Sequence, residues 1–100
     1  MKEYYLKVHN VDSKTIVTVC DKDLLGKEFR EGDIVLKVEE PFYGGKLADL
    51  EEVINAILSA DIVVLTGSKL IEELSKRGLI PKDFALRVGD QLHIQIVREV

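Results

Sequence analysis

The chain is short of cysteine, tryptophan, proline and side-chain amides, and each shortage closes off a class of protein. One cysteine, Cys20, leaves no partner for an internal disulfide and fits a reducing compartment. Cys20, His9 and His93 are the only thiol and imidazole groups, too few and too scattered for a structural zinc set, so neither a metal nor a cofactor is expected. The longest apolar run, Ile62–Leu65, falls far short of the roughly 20 residues that span a bilayer. The opening Met1-Lys2-Glu3-Tyr4-Tyr5 lacks the apolar stretch of a secretory leader. A cytoplasmic protein with no membrane partner is the expectation. Asn and Gln number two each (Asn10, Asn55, Gln91, Gln95) beside many Lys and Glu, a pattern of thermophile proteins.

What is present describes one folded domain spanning residues 1–100. Hydrophobic residues make up 46% and charged residues 32%, the balance of a globule rather than a disordered chain. The net charge of −4 is unevenly spread. Residues 1–30 carry six basic and five acidic side chains, residues 31–61 two and eight, and residues 62–100 six and five. An acidic chain without a basic stripe does not suit sequence-independent duplex binding, which depends on neutralising phosphates.

Periodicity predicts the elements. Tyr4, Leu6 and Val8 alternate with Tyr5, Lys7 and His9, a turn follows at Val11–Lys14, and Thr15–Asp21 is β-branched almost throughout, so a hairpin is expected. Asp21–Gly26 reads as one capped helical turn. Ile34–Glu39 alternates as a third strand, closed by Pro41. Leu50, Val53, Ile54, Ile57 and Leu58 then fall on one helical face, with Asp49 and Glu52 spaced as a capping box. Ile62–Leu65, apolar on both sides, reads as a central strand. A second helix carries Leu70, Ile71 and Leu74 and stops at Gly78. Leu92–Val97 is the last strand. The expected fold class is α+β (mixed α/β): one mixed sheet of about five strands with two helices on one face, in the order β-β-β-α-β-α-β. Its other face is expected to be solvated and to carry Lys7, His9, Lys37, His93 and Gln95.

No catalytic set emerges. Gly67-Ser68-Lys69 lies between a strand and a helix, as a phosphate loop does, but Ile62 stands where that motif needs glycine and Lys follows Ser instead of preceding it. Gly67 and Ser68 keep only the generic anion affinity of a helix start, and a plain helix start is the favoured reading. Cys20 beside a histidine could form a nucleophile pair, yet a lone strand cysteine is more often a small buried hydrophobe. The carboxylates between Glu39 and Glu52 read as a solvated surface and a helix dipole being satisfied. The loop Pro41–Lys46 is less ordinary: two aromatics, Phe42 and Tyr43, precede Gly44, Gly45 and Lys46, and Tyr43 is the ring placed to stack on a planar ligand. The plain alternative has Phe42 plugging the end of the sheet with Tyr43 flat on the surface.

Cys20-Asp21-Lys22-Asp23-Leu24-Leu25-Gly26-Lys27, Phe42-Tyr43-Gly44-Gly45 and the terminal His93-Ile94-Gln95 together resemble the archaeal family known as domain of unknown function 424. The likeness runs along nearly the whole chain; the family's last motif has alanine where this chain has Ile94. The resemblance implies an archaeal cytosolic protein of similar size, linked to translation and without an assigned activity.

Three functions compete. The first is a non-catalytic binding module for RNA or a translation component, using Lys22, Lys27, Arg30, Phe42, Tyr43, Gly44, Gly45, Lys46 and His93. The second is a small enzyme or small-ligand protein built on Cys20 and a histidine. The third is a structural subunit, with self-association into a homo-oligomer left open. Absence of a catalytic set favours the first and third.

Overall fold

In the computed structural model, which describes residues 1–98, the expected hairpin opens the chain. Strands β1 (Tyr4–Val11) and β2 (Lys14–Asp21) pair antiparallel along their full length, with Tyr4 opposite Asp21 and Val11 opposite Lys14. Their two-residue connection, Asp12-Ser13, takes φ of 49° and 68°, the mirror-image turn whose twist matches that of the strands. A 3-10 turn at Lys22–Leu24 leads into a ribbon of β3 (Glu28–Glu31) and β4 (Ile34–Lys37). A one-turn helix α1 (Glu40–Tyr43) and the short strand β5 (Lys46–Ala48) follow. The second half runs α2 (Leu50–Ser59), β6 (Ile62–Thr66), α3 (Ser68–Lys76), a 3-10 turn at Lys82–Phe84, β7 (Leu86–Val88) and β8 (Gln91–Val97).

Six strands form one mixed sheet in the order β5-β1-β2-β6-β8-β7. Only the central pair β2–β6 is parallel, joining Ile16–Cys20 to Ile62–Thr66. The fold class is as expected, but the third strand is placed differently. Ile34–Lys37 leaves the main sheet and pairs across the Gly32-Asp33 turn with Glu28–Glu31. Closing that two-residue turn orders far less chain than a long-range pairing would. The position beside β1 goes to β5, which begins at the last residue of the Pro41–Lys46 loop and is not among the expected strands; Tyr4 pairs with Ala48 and Leu6 with Lys46. Alternation reveals a strand; it does not name the neighbour.

The face covered by α2 and α3 holds the main core. Tyr4, Leu6, Val17, Val19, Val63, Leu65 and Ile94 of the sheet meet Val53, Ile57, Leu70, Ile71 and Leu74 of the helices. Each wholly buried leucine there contributes roughly 2 kcal/mol. The capping box at α2 is present: Glu52 N donates to Asp49 Oδ1 at 2.8 Å and Asp49 N to Glu52 Oε1 at 3.1 Å.

The opposite face is not the solvated surface expected. Residues 22–45 fold across it, so that Leu24, Val38 and Tyr43 pack on Cys20 and Val64, with Leu25 and Phe29 alongside. Lys37 lies on the ribbon rather than the sheet. Both faces had to be covered because β2 and β6 are apolar on both sides. Among the described residues no helix is long and apolar enough to cross a membrane.

The Asp12-Ser13 turn sets a test. Two L-residues in the left-handed region are strained, and glycine is not. Ser13→Gly should therefore raise unfolding stability by roughly 0.5–1 kcal/mol, read as a higher urea midpoint at unchanged slope. A lower midpoint would contradict the turn.

Candidate functional site

The three stretches that carry the family resemblance meet on the loop-covered face. Tyr43, buried to 3% exposure, is held by α1 above the middle of the sheet. Its hydroxyl lies 2.9 Å from Thr66 Oγ1, which lies 2.7 Å from His93 Nδ1. His93 Nε2 is 3.4 Å from Gln95 Oε1. One proton arrangement satisfies the row: Tyr43 donates to Thr66, Thr66 to the neutral imidazole, and the imidazole Nε2–H to Gln95. The register dictates these neighbours, since Cys20 pairs with Thr66 and Thr66 with His93. A second polar row crosses β1 and β2: Thr18 Oγ1 and His9 Nε2 both reach the Phe42 carbonyl, the latter at 3.0 Å.

Phe42 and Tyr43 exchange the orientations expected of them. Tyr43 points inward, while Phe42 is 40% exposed and stacks on His9 with ring centroids 5.3 Å apart. Helix α1 explains the exchange, because consecutive helical residues point about 100° apart and only one can face the sheet. Gly45 lets the chain return toward β1, since a Cβ there would collide with the Leu6 carbonyl.

Asp21, on the helix-covered side of the sheet and opposite in facing to Cys20, organises the start of α3. Its carboxylate accepts from Lys69 N at 3.1 Å and Leu70 N at 2.9 Å, filling the start of α3. Ser68 N donates to Gln91 Oε1 at 2.9 Å. The donors of the Gly67-Ser68 helix start are thus engaged by the protein's own oxygens. Gly67 has φ of 132°, and a Cβ there would strike the Asp21 carboxylate. The cap comes from a neighbouring strand because glycine supplies none.

The candidate basic residues do not converge. Lys22 lines an open groove with Lys2, Tyr5 and Lys69. Lys27 is exposed, and its carbonyl accepts from Val38 N. Arg30 pairs with Glu28 at 2.8 Å beside the Gly89 turn at the β7 side of the sheet. Lys46 sits on the opposite edge, in β5, bound to Glu52 at 2.9 Å. Lys2 and Lys46 together pull the Glu52 carboxyl down to about 2. The segments Cys20–Arg30 and Phe42–Lys46 do meet, but as a small core of Leu24, Phe29 and Tyr43 rather than a cleft. Sequence reasoning missed Thr18 and Thr66; the available signal was a hydroxyl in each otherwise apolar central strand. Among the described residues no cluster of three His, Cys, Asp or Glu side chains is arranged for a metal.

Two groups respond to pH in opposite senses. Burial holds His93 below the usual 6.5, so the unfolded chain binds a proton that the folded one refuses. Stability from this group is lost as pH falls below about 6.5. Burial raises the Asp21 carboxyl from 3.8 to about 6, against the pull of the Leu70 and Lys69 amides. Between those values the folded protein keeps a proton that the unfolded chain releases, so Asp21 lowers stability as pH rises through that window and has a level effect above it. Carbon-detected NMR should show the Asp21 carboxyl titrating near pH 6, and Asp21→Asn should remove its part of the slope. Titration near pH 4 would contradict this environment.

The chain's likenesses agree with this architecture. A crystal structure of an uncharacterized conserved protein from the archaeon Methanopyrus kandleri shares the fold, with a TM-score of 0.76 and 24% sequence identity, covering 98% of this chain and 96% of that one. No curated protein matches the chain. The family model described as "Protein of unknown function (DUF424)" matches residues 9–98. That span takes in all three of the motifs gathered on the loop-covered face, and the chain belongs to the DUF424 family.

Proposed function

We propose that the protein is a non-catalytic binding module. The observation that supports this reading is the sealing of Cys20. Its side chain is 0% exposed, and burial, with the Asp21 carboxylate adding to it, pushes the thiol up to about 12. Neither imidazole bonds to it: His93 Nδ1 is engaged by Thr66, and His9 Nε2 by Phe42 and Thr18. A nucleophile pair needs an accessible thiolate and a base within reach. The enzyme reading has neither. A thiol reagent at neutral pH should therefore label the folded protein roughly a thousandfold or more slowly than the denatured chain, at the rate of opening. Fast labelling of the native state would restore the enzyme reading.

RNA is the partner that the exposed Phe42 supports. Its ring is pre-stacked on His9, and Lys7 lies close by with Nζ 2.7 Å from the Pro41 carbonyl. Aromatic faces beside a cation take single-stranded bases. With a net charge of −4, binding would rest on stacking more than on phosphate contacts and depend weakly on salt. Phe42→Ala should weaken single-stranded RNA binding by roughly 1–3 kcal/mol in fluorescence anisotropy while leaving the fold intact. Equal affinity in the variant would remove RNA as the ligand of this ring.

A further inference from the structure

The sheet ends unevenly on its β7 side. β7 covers β8 only from Gln91 to His93, and before Leu86 the chain turns away into the Lys82–Phe84 turn, whose amides bond to the Pro81 and Lys82 carbonyls. β8 runs on to Val97. The Leu92 carbonyl accepts from Gly67 N and Arg98 N donates to the Asp61 carbonyl, so even-numbered residues of β8 bond toward β6. Odd-numbered ones face outward, as the antiparallel ladder requires. Gln95 and Val97 therefore present their N–H and C=O groups at an edge with no strand beside it among the described residues. Its shortness apart, the stretch Gln95-Ile96-Val97 carries no proline, no lysine and no inward charge to guard the edge. Beside it lies a groove of about 440 Å³ lined by Pro81, Phe84, Leu86, His93, Ile96 and Val97. Its apolar rim is open to solvent, with Phe84 79%, Leu86 46% and Val97 65% exposed.

We propose that this edge binds an extended peptide segment of another protein, which adds to the sheet antiparallel to β8 and places an apolar side chain in the groove. The proposal rests on the binding-module reading and adds to it a peptide partner at an edge separate from Phe42, which lies by β1. Water can meet the outward backbone groups of Gln95 and Val97 in the free protein; among protein elements another extended chain matches their spacing, because a helix has already used its own groups. Alternate side chains of the added strand point to one face, which is where the groove lies. The competing occupant is a second copy. Two free residues and one small groove offer much less contact than the roughly 800 Å² per partner of a stable interface, whereas they suit a short peptide.

The test is selection of a random heptapeptide phage library on the immobilised protein. Enriched peptides should alternate β-branched or apolar residues with polar ones. On adding a selected peptide, hydrogen exchange at the Gln95 and Val97 amides should slow by about tenfold or more. Val97→Pro deletes only an outward N–H, and Phe84→Ser alters an exposed wall; each should weaken the peptide by about tenfold with an unchanged thermal midpoint. Should Val97→Pro fail to fold, Phe84→Ser carries the comparison. The proposal is overturned by no enrichment over a blank surface, by peptides that protect other amides, or by peptides indifferent to the variants that fold. Sedimentation showing a stable dimer that excludes the peptide overturns it in favour of a second copy. Protection of these amides by single-stranded RNA instead of peptide also overturns it. Failure here with slow Cys20 labelling leaves the binding-module reading standing. Success with fast labelling sinks that reading alone.

Discussion

A strand that is apolar on both sides must be covered on both sides, and β6 at the middle of the sheet imposes that condition on everything around it. Val63 and Leu65 face the helices, while Val64 faces the loops. The helix layer satisfies one side in the ordinary way. The other side has no helices of useful length, so residues 22–45 are drawn across it, and their path follows from where Leu24, Val38 and Tyr43 can reach Cys20 and Val64. The polar side chains caught beneath that cover are tolerated because they bond to one another. Tyr43, Thr66 and His93 form one row and Thr18 with His9 another, and no buried side-chain nitrogen or oxygen among the described residues lacks a partner. In a low-dielectric layer an unpaired hydroxyl there would cost about 1–3 kcal/mol.

The second dependency is the exchange between β2 and α3. A helix that begins at Gly67 has no capping side chain of its own, and a strand that ends at Asp21 has a carboxylate with nowhere to be solvated. Each corrects the other. The helix start gains two charge-assisted acceptors and the carboxylate gains donors. Because α3 also packs on β8, this contact ties the parallel centre of the sheet to its later strands.

The same economy separates chemistry from recognition. Groups that could react, the thiol of Cys20 and the phenol of Tyr43, are turned inward and shifted by burial away from reactivity at neutral pH. On the reading proposed above, recognition falls to the ring of Phe42 and to the edge of β8 that has no neighbour among the described residues, both at the margins, where the loop cover stops and β7 runs out.

Much of the architecture was legible because it depends on neighbours in sequence. The Asp12-Ser13 hairpin, the Asp49–Glu52 cap, the stripe from Leu50 to Ile57 and the two-sided strand at Ile62 are written in residues a few positions apart, where turn chemistry and periodicity act directly. The buried Cys20 was legible for a similar reason, lying inside a β-branched run. What sequence could not supply was which distant segments share a face. Period 2 marks Ile34–Lys37 as a strand without saying that it leaves the main sheet or that β5 pairs with β1. Nothing near Tyr43 says that its hydroxyl meets Thr66, 23 residues away, or that Asp21 caps a helix beginning 47 residues later. The sequence by itself determined the longer strands and helices and the helix-side core, because local sterics and apolar spacing decide those. Tertiary structure alone decided that the second face is covered, that Tyr43 turns in while Phe42 turns out, and that β8 beyond His93 has no outer neighbour among the described residues, because each depends on long-range registers that no short stretch of chain encodes.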